Sequence, residues 1–133
     1  MSVVAGRAPI VEREPVLLPD TELLARLFRA LGEASRLRIL ELLVKEGELH
    51  QAEVVRVLGL SQGRASEHLA CLLWCGFVSS REGEGRRVYY RVTDPTVPEL
   101  VRLATGFLER NDAAIACCRR IDDTKGGPRE HRP

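Results

Sequence analysis

Gln51-Ala52-Glu53-Val54-Val55-Arg56-Val57-Leu58-Gly59-Leu60-Ser61-Gln62-Gly63-Arg64-Ala65-Ser66-Glu67-His68-Leu69 is the stretch whose periodicity settles the architecture. Over its first eight residues Val54, Val55 and Leu58 share one side of a short helix. Gly59-Leu60 then makes a tight turn, and Ser61 supplies the hydroxyl that caps the next helix. That second helix runs over about 61–75, with Ala65, Leu69, Leu72 and Leu73 as a buried stripe and Gly76 as its stop. Two short helices around such a turn make a helix-turn-helix.

On the N-terminal side, Asp20 is a natural N-cap for a helix carrying Leu23, Leu24, Leu27, Phe28 and Leu31 on one stripe and ending near Gly32. The next helix, over about 34–45, buries Leu37, Ile39, Leu40, Leu43 and Val44, leaves Arg36, Arg38 and Glu41 to solvent or partners, and stops at Gly47. On the C-terminal side the period changes to two. Phe77 to Arg81, the turn Glu82-Gly83-Glu84-Gly85, and Arg86 to Val92 read as a hairpin, the wing, in which one of Tyr89 and Tyr90 faces inward. A last helix from about Pro95 to Ile121 carries Val97, Leu100, Val101, Ala104, Phe107, Leu108, Ala114, Ile115 and Cys118 at helical spacing.

That stripe exceeds what one small core can cover, so the spacing predicts pairing with a second copy of the chain. The expected architecture is mainly α: a winged helix-turn-helix of about five helices plus a two-stranded β-hairpin, forming a homodimer through the first and last helices. Pro9, Pro15 and Pro19 mark residues 1–20 as an extended arm, and Lys125-Gly126-Gly127-Pro128 marks 123–133 as a disordered tail, leaving 21–122 as the DNA-binding and dimerisation domain.

With 133 residues the chain fits one domain, and its 44% hydrophobic and 29% charged content is that of a soluble globular protein. No membrane span or secretory signal is legible, so a cytoplasmic location is expected, where the four cysteines serve as thiols, metal ligands or redox sensors rather than disulfides. The net charge of +1 is silent about partners, because a sum hides where charges sit. Locally the charges are uneven. The half of the second helix that enters a major groove is Ser61-Gln62-Gly63-Arg64-Ala65-Ser66: Gln62 can read adenine, Arg64 can bond guanine bidentately, Ser61 and Ser66 suit phosphates or bases, and Gly63 lets the backbone approach the duplex. The wing adds Arg81, Arg86, Arg87 and Arg91 for the DNA backbone or minor groove.

Phe28-Arg29-Ala30-Leu31-Gly32-Glu33-Ala34-Ser35-Arg36-Leu37-Arg38-Ile39-Leu40, then Leu60 to Leu69, then Gly85-Arg86-Arg87-Val88-Tyr89-Tyr90 resemble the ArsR/SmtB family of dimeric winged-helix repressors over about residues 21–118. The resemblance implies double-stranded operator DNA as partner. It also places His68 in the family's DNA-binding pattern, where it reads as structural rather than as a metal ligand.

Cys71 and Cys75, four apart on one helix, place their Cβ atoms about 5–6 Å apart. A disulfide prefers about 3.5–4.5 Å, so an intact helix favours chelation over bridging, although small cysteines can also serve as plain apolar filler. The run His68 to Gly76 resembles the cadmium- and lead-sensing branch of the family, which implies a metal bound by this pair together with a cysteine from the C-terminal region of the other subunit, here Cys117 or Cys118. Neighbours on a helix diverge by about 100°, so one of these two is the expected ligand, although the vicinal pair also resembles arsenite-sensing members. Three thiolates select cadmium, lead, mercury or trivalent arsenic as effector, over magnesium or calcium. No organic cofactor is expected, and no nucleophile with an orienting base, phosphate loop or paired carboxylates suggests an enzyme. A repressor that senses oxidants through the same cysteines is the competing reading.

Overall fold

The computed structural model describes residues 20–125. The arm expected over 1–20 and the tail expected over 123–133 lie outside the described residues, apart from Asp20 and the final helical residues through Lys125. Within that range there are six α-helices and one three-stranded sheet: α1 (Thr21–Leu31), α2 (Ala34–Glu46), β1 (Leu49–His50), α3 (Gln51–Leu58), α4 (Gln62–Trp74), β2 (Ser79–Glu82), β3 (Val88–Arg91), α5 (Thr96–Ala116) and α6 (Arg119–Lys125).

Side chains satisfy the orphan N–H groups at the helix starts. Asp20 Oδ1 accepts from the Leu23 N–H at 2.9 Å, and Ser61 Oγ accepts from that of Arg64 at 3.1 Å. Glu33 caps α2, its Oε1 accepting from Ser35 at 2.9 Å and Arg36 at 3.3 Å. At the turn between α3 and α4, Gly59 has φ +68° while its N–H closes on the Val55 carbonyl at 2.9 Å, a left-handed geometry in which any Cβ is strained. Gln51 Nε2 donates to the Gln62 carbonyl across this turn at 3.3 Å, tying the two helices together.

Residues 20–94 form one compact unit in which α2 and α3 pack against α4. Ile39, Leu40 and Leu43 of α2, Val54 of α3, and Ala65, Leu69 and Leu72 of α4 are each at most 2% exposed. Burial of each large aliphatic among them contributes about 1.5–3 kcal/mol. Val44 and Leu73, expected in this core, are exposed. Each follows a fully buried leucine by one residue, and the 100° turn per residue carries it off the covered seam.

Phe77 and Val78 enter the core before β2 begins, as the Phe77 N–H folds back to the Leu72 carbonyl at 2.9 Å. The wing is antiparallel with Arg81 opposite Tyr89, but the expected two strands are three, in the order β1-β3-β2. The extended lead-in to α3 pairs Leu49 with Tyr90 and His50 with Tyr89. Tyr89 and Tyr90 are both half-buried, since β3 is central and carries a strand on each edge. Gly83 is required by contact, because a Cβ there would meet the Tyr89 ring at 2.6 Å.

From Pro95 onward a second unit comprises α5 and α6. The single helix expected through Ile121 is interrupted at Cys117-Cys118. Cys117 caps α5 with φ −100° and ψ 4°, and the Cys118 N–H bonds the Ile115 carbonyl at 3.3 Å, a tightened last turn. Two consecutive cysteines, both weak helix formers, mark the break. Along α5 Val97 is buried, whereas Leu103, Phe107, Leu108 and Ile115 are exposed.

Candidate nucleic-acid interface and thiol pair

The N-terminal half of α4 stands open to solvent. Ser61, Gln62, Gly63, Arg64 and Ser66 are all exposed, while Ala65 between them anchors the helix in the core. Ser61 spends its Oγ on the cap, so its role is first to start the helix. Gln62 and Arg64 project the donor and acceptor groups that fit base edges.

His68 does not share that open face. It is 8% exposed, with its Nδ1 3.2 Å from an Arg36 guanidinium nitrogen and its Nε2 3.5 Å from Glu33 Oε1. The ring is thus held between the start of α2 and the body of α4. Arg36, expected to serve solvent or partners, instead also donates to the carbonyls of Ala30 at 2.5 Å and Arg29 at 3.3 Å, the C-terminal end of α1. Desolvation opposes ionisation of Glu33, yet the Arg36 N–H, the nearby His68 and the Ser35 N–H together hold its carboxyl below the ordinary range.

On the wing, Arg86, Arg87 and Arg91 are exposed. Arg86 sits in the left-handed region at φ +63°, which turns it outward at the hairpin tip beside Gly85. Arg81 differs. Its guanidinium donates two hydrogen bonds of 2.8 Å to the Glu48 carboxylate and lies 4.9 Å over the Tyr89 ring, so its charge is answered within the fold. Glu48, absent from the sequence-derived site, lies 33 residues away with no local pattern to announce it.

Cys71 on α4 is half-buried, and Cys75 at its C-terminal cap is exposed. The two residues are one helical turn apart, the Cys75 N–H donating to the Cys71 carbonyl at 3.0 Å. The Cys75 residue is open overall, but the protein around its sulfur desolvates it enough to push the thiol up from its usual value, and Cys71 adds to the shift against the opposing pull of Arg26 and Arg36. Trp74, next to Cys75 in the chain, is 91% exposed. In the second unit Cys117 is exposed and Cys118 half-buried, both at the helix interruption. Among the described residues no three His, Cys, Asp or Glu side chains of one chain come together as a metal-holding group. Likewise, no described helix is long and apolar enough to cross a membrane.

A helix-turn-helix followed by an arginine-bearing antiparallel wing defines the winged-helix class of regulators. The chain belongs to the arsR family of bacterial regulatory proteins, whose model matches residues 33–80. It is 46% identical to a probable mercury resistance operon repressor of Streptomyces lividans, over 80% of this chain and 82% of that protein. A cadmium resistance transcriptional regulatory protein CadC homolog of Staphylococcus aureus is 37% identical, over 68% of this chain and 72% of that one. Among solved structures, the homodimeric winged helix-turn-helix DNA-binding domain of a possible ArsR-family regulator from Mycobacterium bovis superposes with a TM-score of 0.59 at 32% identity, covering 80% of this chain and 91% of the other.

Proposed function

We propose that the chain is a cytoplasmic transcriptional repressor that grips operator DNA as a homodimer and releases it when Cys71 and Cys75, joined by Cys117 or Cys118 of the partner subunit, capture a soft heavy-metal ion. The observation that carries this reading is the thiol pair itself: a half-buried Cys71 and an exposed Cys75 one turn apart at the end of the helix whose other end reads DNA. Gln62, Gly63, Arg64 and Ser66, with Arg86, Arg87 and Arg91, form the operator face; Ser61 starts the reading helix and Arg81 stiffens the wing. The exposed apolar residues Leu23, Leu24, Leu27 and Phe28 on α1, and Leu103, Phe107 and Leu108 on α5, supply the surface for a second copy.

Sulfur donors fit mercury, cadmium or lead and disfavour oxygen-seeking ions. One chain brings two sulfurs to α4, so a third donor comes from the other copy. The relatives named for mercury and cadmium resistance support this effector class. A second reading, trivalent arsenic, is favoured by the interruption at Cys117-Cys118, which frees vicinal thiols from the divergence an intact helix would impose.

The deciding experiment titrates the reduced, operator-bound dimer with mercury, cadmium, lead, arsenite and zinc while following ultraviolet thiolate-to-metal absorption and DNA release. Release in step with a charge-transfer band supports the reading. Release by peroxide alone, with no such band, replaces it with redox sensing.

A further inference from the structure

The middle of α4 holds a buried hydrogen-bonding group that finds no partner among the described residues. Arginine nitrogens only donate, so the 3.2 Å contact from Arg36 requires His68 Nδ1 to accept, which places the ring proton on Nε2. That Nε2 is buried and, among the described residues, has no hydrogen-bond partner. The nearest acceptor is Glu33 Oε1 at 3.5 Å, beyond a normal N–H···O distance of about 2.7–3.2 Å. A buried donor left unmet is costly, and here a shift of a few tenths of an ångström of α4 toward the start of α2 would satisfy it.

The parts around it are arranged as a latch. Glu33 is fixed by the α2 cap it forms, and Arg36 is fixed by the Ala30 and Arg29 carbonyls at the end of α1. His68 is the member that rides on α4. It lies one turn before Cys71 and two before Cys75, on the same helical face. A displacement of α4 at the thiols therefore changes the Glu33 distance and the Arg36 contact together.

We propose that Glu33, His68 and Arg36 form a two-position seat for α4, with His68 as the positioning residue that carries the state of Cys71 and Cys75 to the DNA-reading half of the helix. In one seat His68 is held by Arg36 with its Nε2–H unmet; in the other that N–H closes on Glu33. This inference rests on the proposed function, since it needs the thiols to act on α4.

The test compares wild type with Glu33→Gln and His68→Phe as full-length reduced dimers, using cadmium and mercury as probes. Glu33→Gln keeps an oxygen to cap α2 but weakens the acceptor that defines the second seat; His68→Phe fills the space and removes both ring nitrogens. Three readouts are taken: operator affinity without metal, metal affinity from the charge-transfer band, and the ratio of operator affinities without and with metal. Glu33→Gln is expected to keep metal binding and metal-free operator affinity within about threefold of wild type while its release ratio falls at least about tenfold, the scale of a typical coupling; His68→Phe, which also removes the Arg36 contact of the first seat, is expected to lose the same release ratio whatever its metal-free operator affinity. Full release by both variants overturns the seat. If His68→Phe fails to fold, Glu33→Gln alone decides by the same ratio. If wild type itself shows metal absorption without release, the proposed function fails and the seat with it; if wild type releases and only the variants do not, both stand.

Discussion

Arg81 of β2 and Glu48, the residue just before β1, face each other through two parallel 2.8 Å hydrogen bonds. The contact ties the wing to the lead-in of the helix-turn-helix, and the guanidinium beside Glu48 holds its carboxyl below the usual carboxylate range. The pair leaves the Arg81 charge neutralised by Glu48 at the wing.

Glu48→Gln should free that charge. Operator affinity is expected to rise severalfold and the dependence on salt to steepen by about one phosphate contact, measured by anisotropy titrations at several salt concentrations. The same variant tests pH dependence. A carboxyl with a lowered folded value contributes stability above its unfolded value and loses it as pH falls through the folded one. The Tm of wild type should thus decline in acid below the ordinary glutamate range by more than that of Glu48→Gln. Parallel curves would show that the contact adds nothing to stability.

Arg64→Ala should cost about 1–3 kcal/mol of operator binding and relax preference at one base position, while Arg87→Ala should weaken operator and random duplex alike. Competition titrations against both duplexes separate base reading from phosphate contact. Equal losses of preference in the two variants would contradict the division of labour between α4 and the wing.

Cys71→Ser and Cys75→Ser should bind operator as wild type does and fail to release it on metal addition, a loss of about 1–3 kcal/mol of coupling. Electrophoretic mobility shifts with and without mercury read this directly. A variant that cannot bind operator at all would instead give the thiol a packing role.

Phe28→Asp puts a charge into the exposed stripe of α1 and should shift the dimer toward monomer, seen by sedimentation velocity. Operator affinity should fall with it, since a monomer holds one half-site at a time. An unchanged dimer would move the interface elsewhere.

Leu69→Ala, at a fully buried position, should destabilise the fold by about 2–5 kcal/mol in chemical denaturation, whereas Val44→Ala, 51% exposed, should change it by less than about 1 kcal/mol. Comparable losses at both positions would place Val44 in contact with something beyond its own chain.

Local signals carried the sequence reading. Asp20, Ser61, Gly59 and Gly76 are caps and turns whose chemistry is contained in a few residues, and the structure has the helix ends next to them. Val44 and Leu73 were misread because a single stripe does not reveal how wide a neighbour covers it. The third strand was missed since Leu49-His50 is too short for periodicity and takes its conformation from Tyr89 and Tyr90. Arg36 reads from the sequence as a cation for solvent or partners and Arg81 as one for DNA; the contacts they make, to His68 and Glu48, lie 32 and 33 residues distant, where no spacing rule reaches. The thiol pair on α4 was legible as an i,i+4 geometry, but the break that gives Cys117 and Cys118 their setting was hidden inside a continuous apolar stripe.

The chain contains one tryptophan, and it is Trp74, nearly fully solvent-facing and covalently adjacent to Cys75. Its indole is thus a built-in fluorophore at the thiol pair, with no second indole to blur the signal. Heavy-atom quenching of its emission would report arrival of an ion at Cys75 in the unlabelled protein, on DNA or off it, in real time.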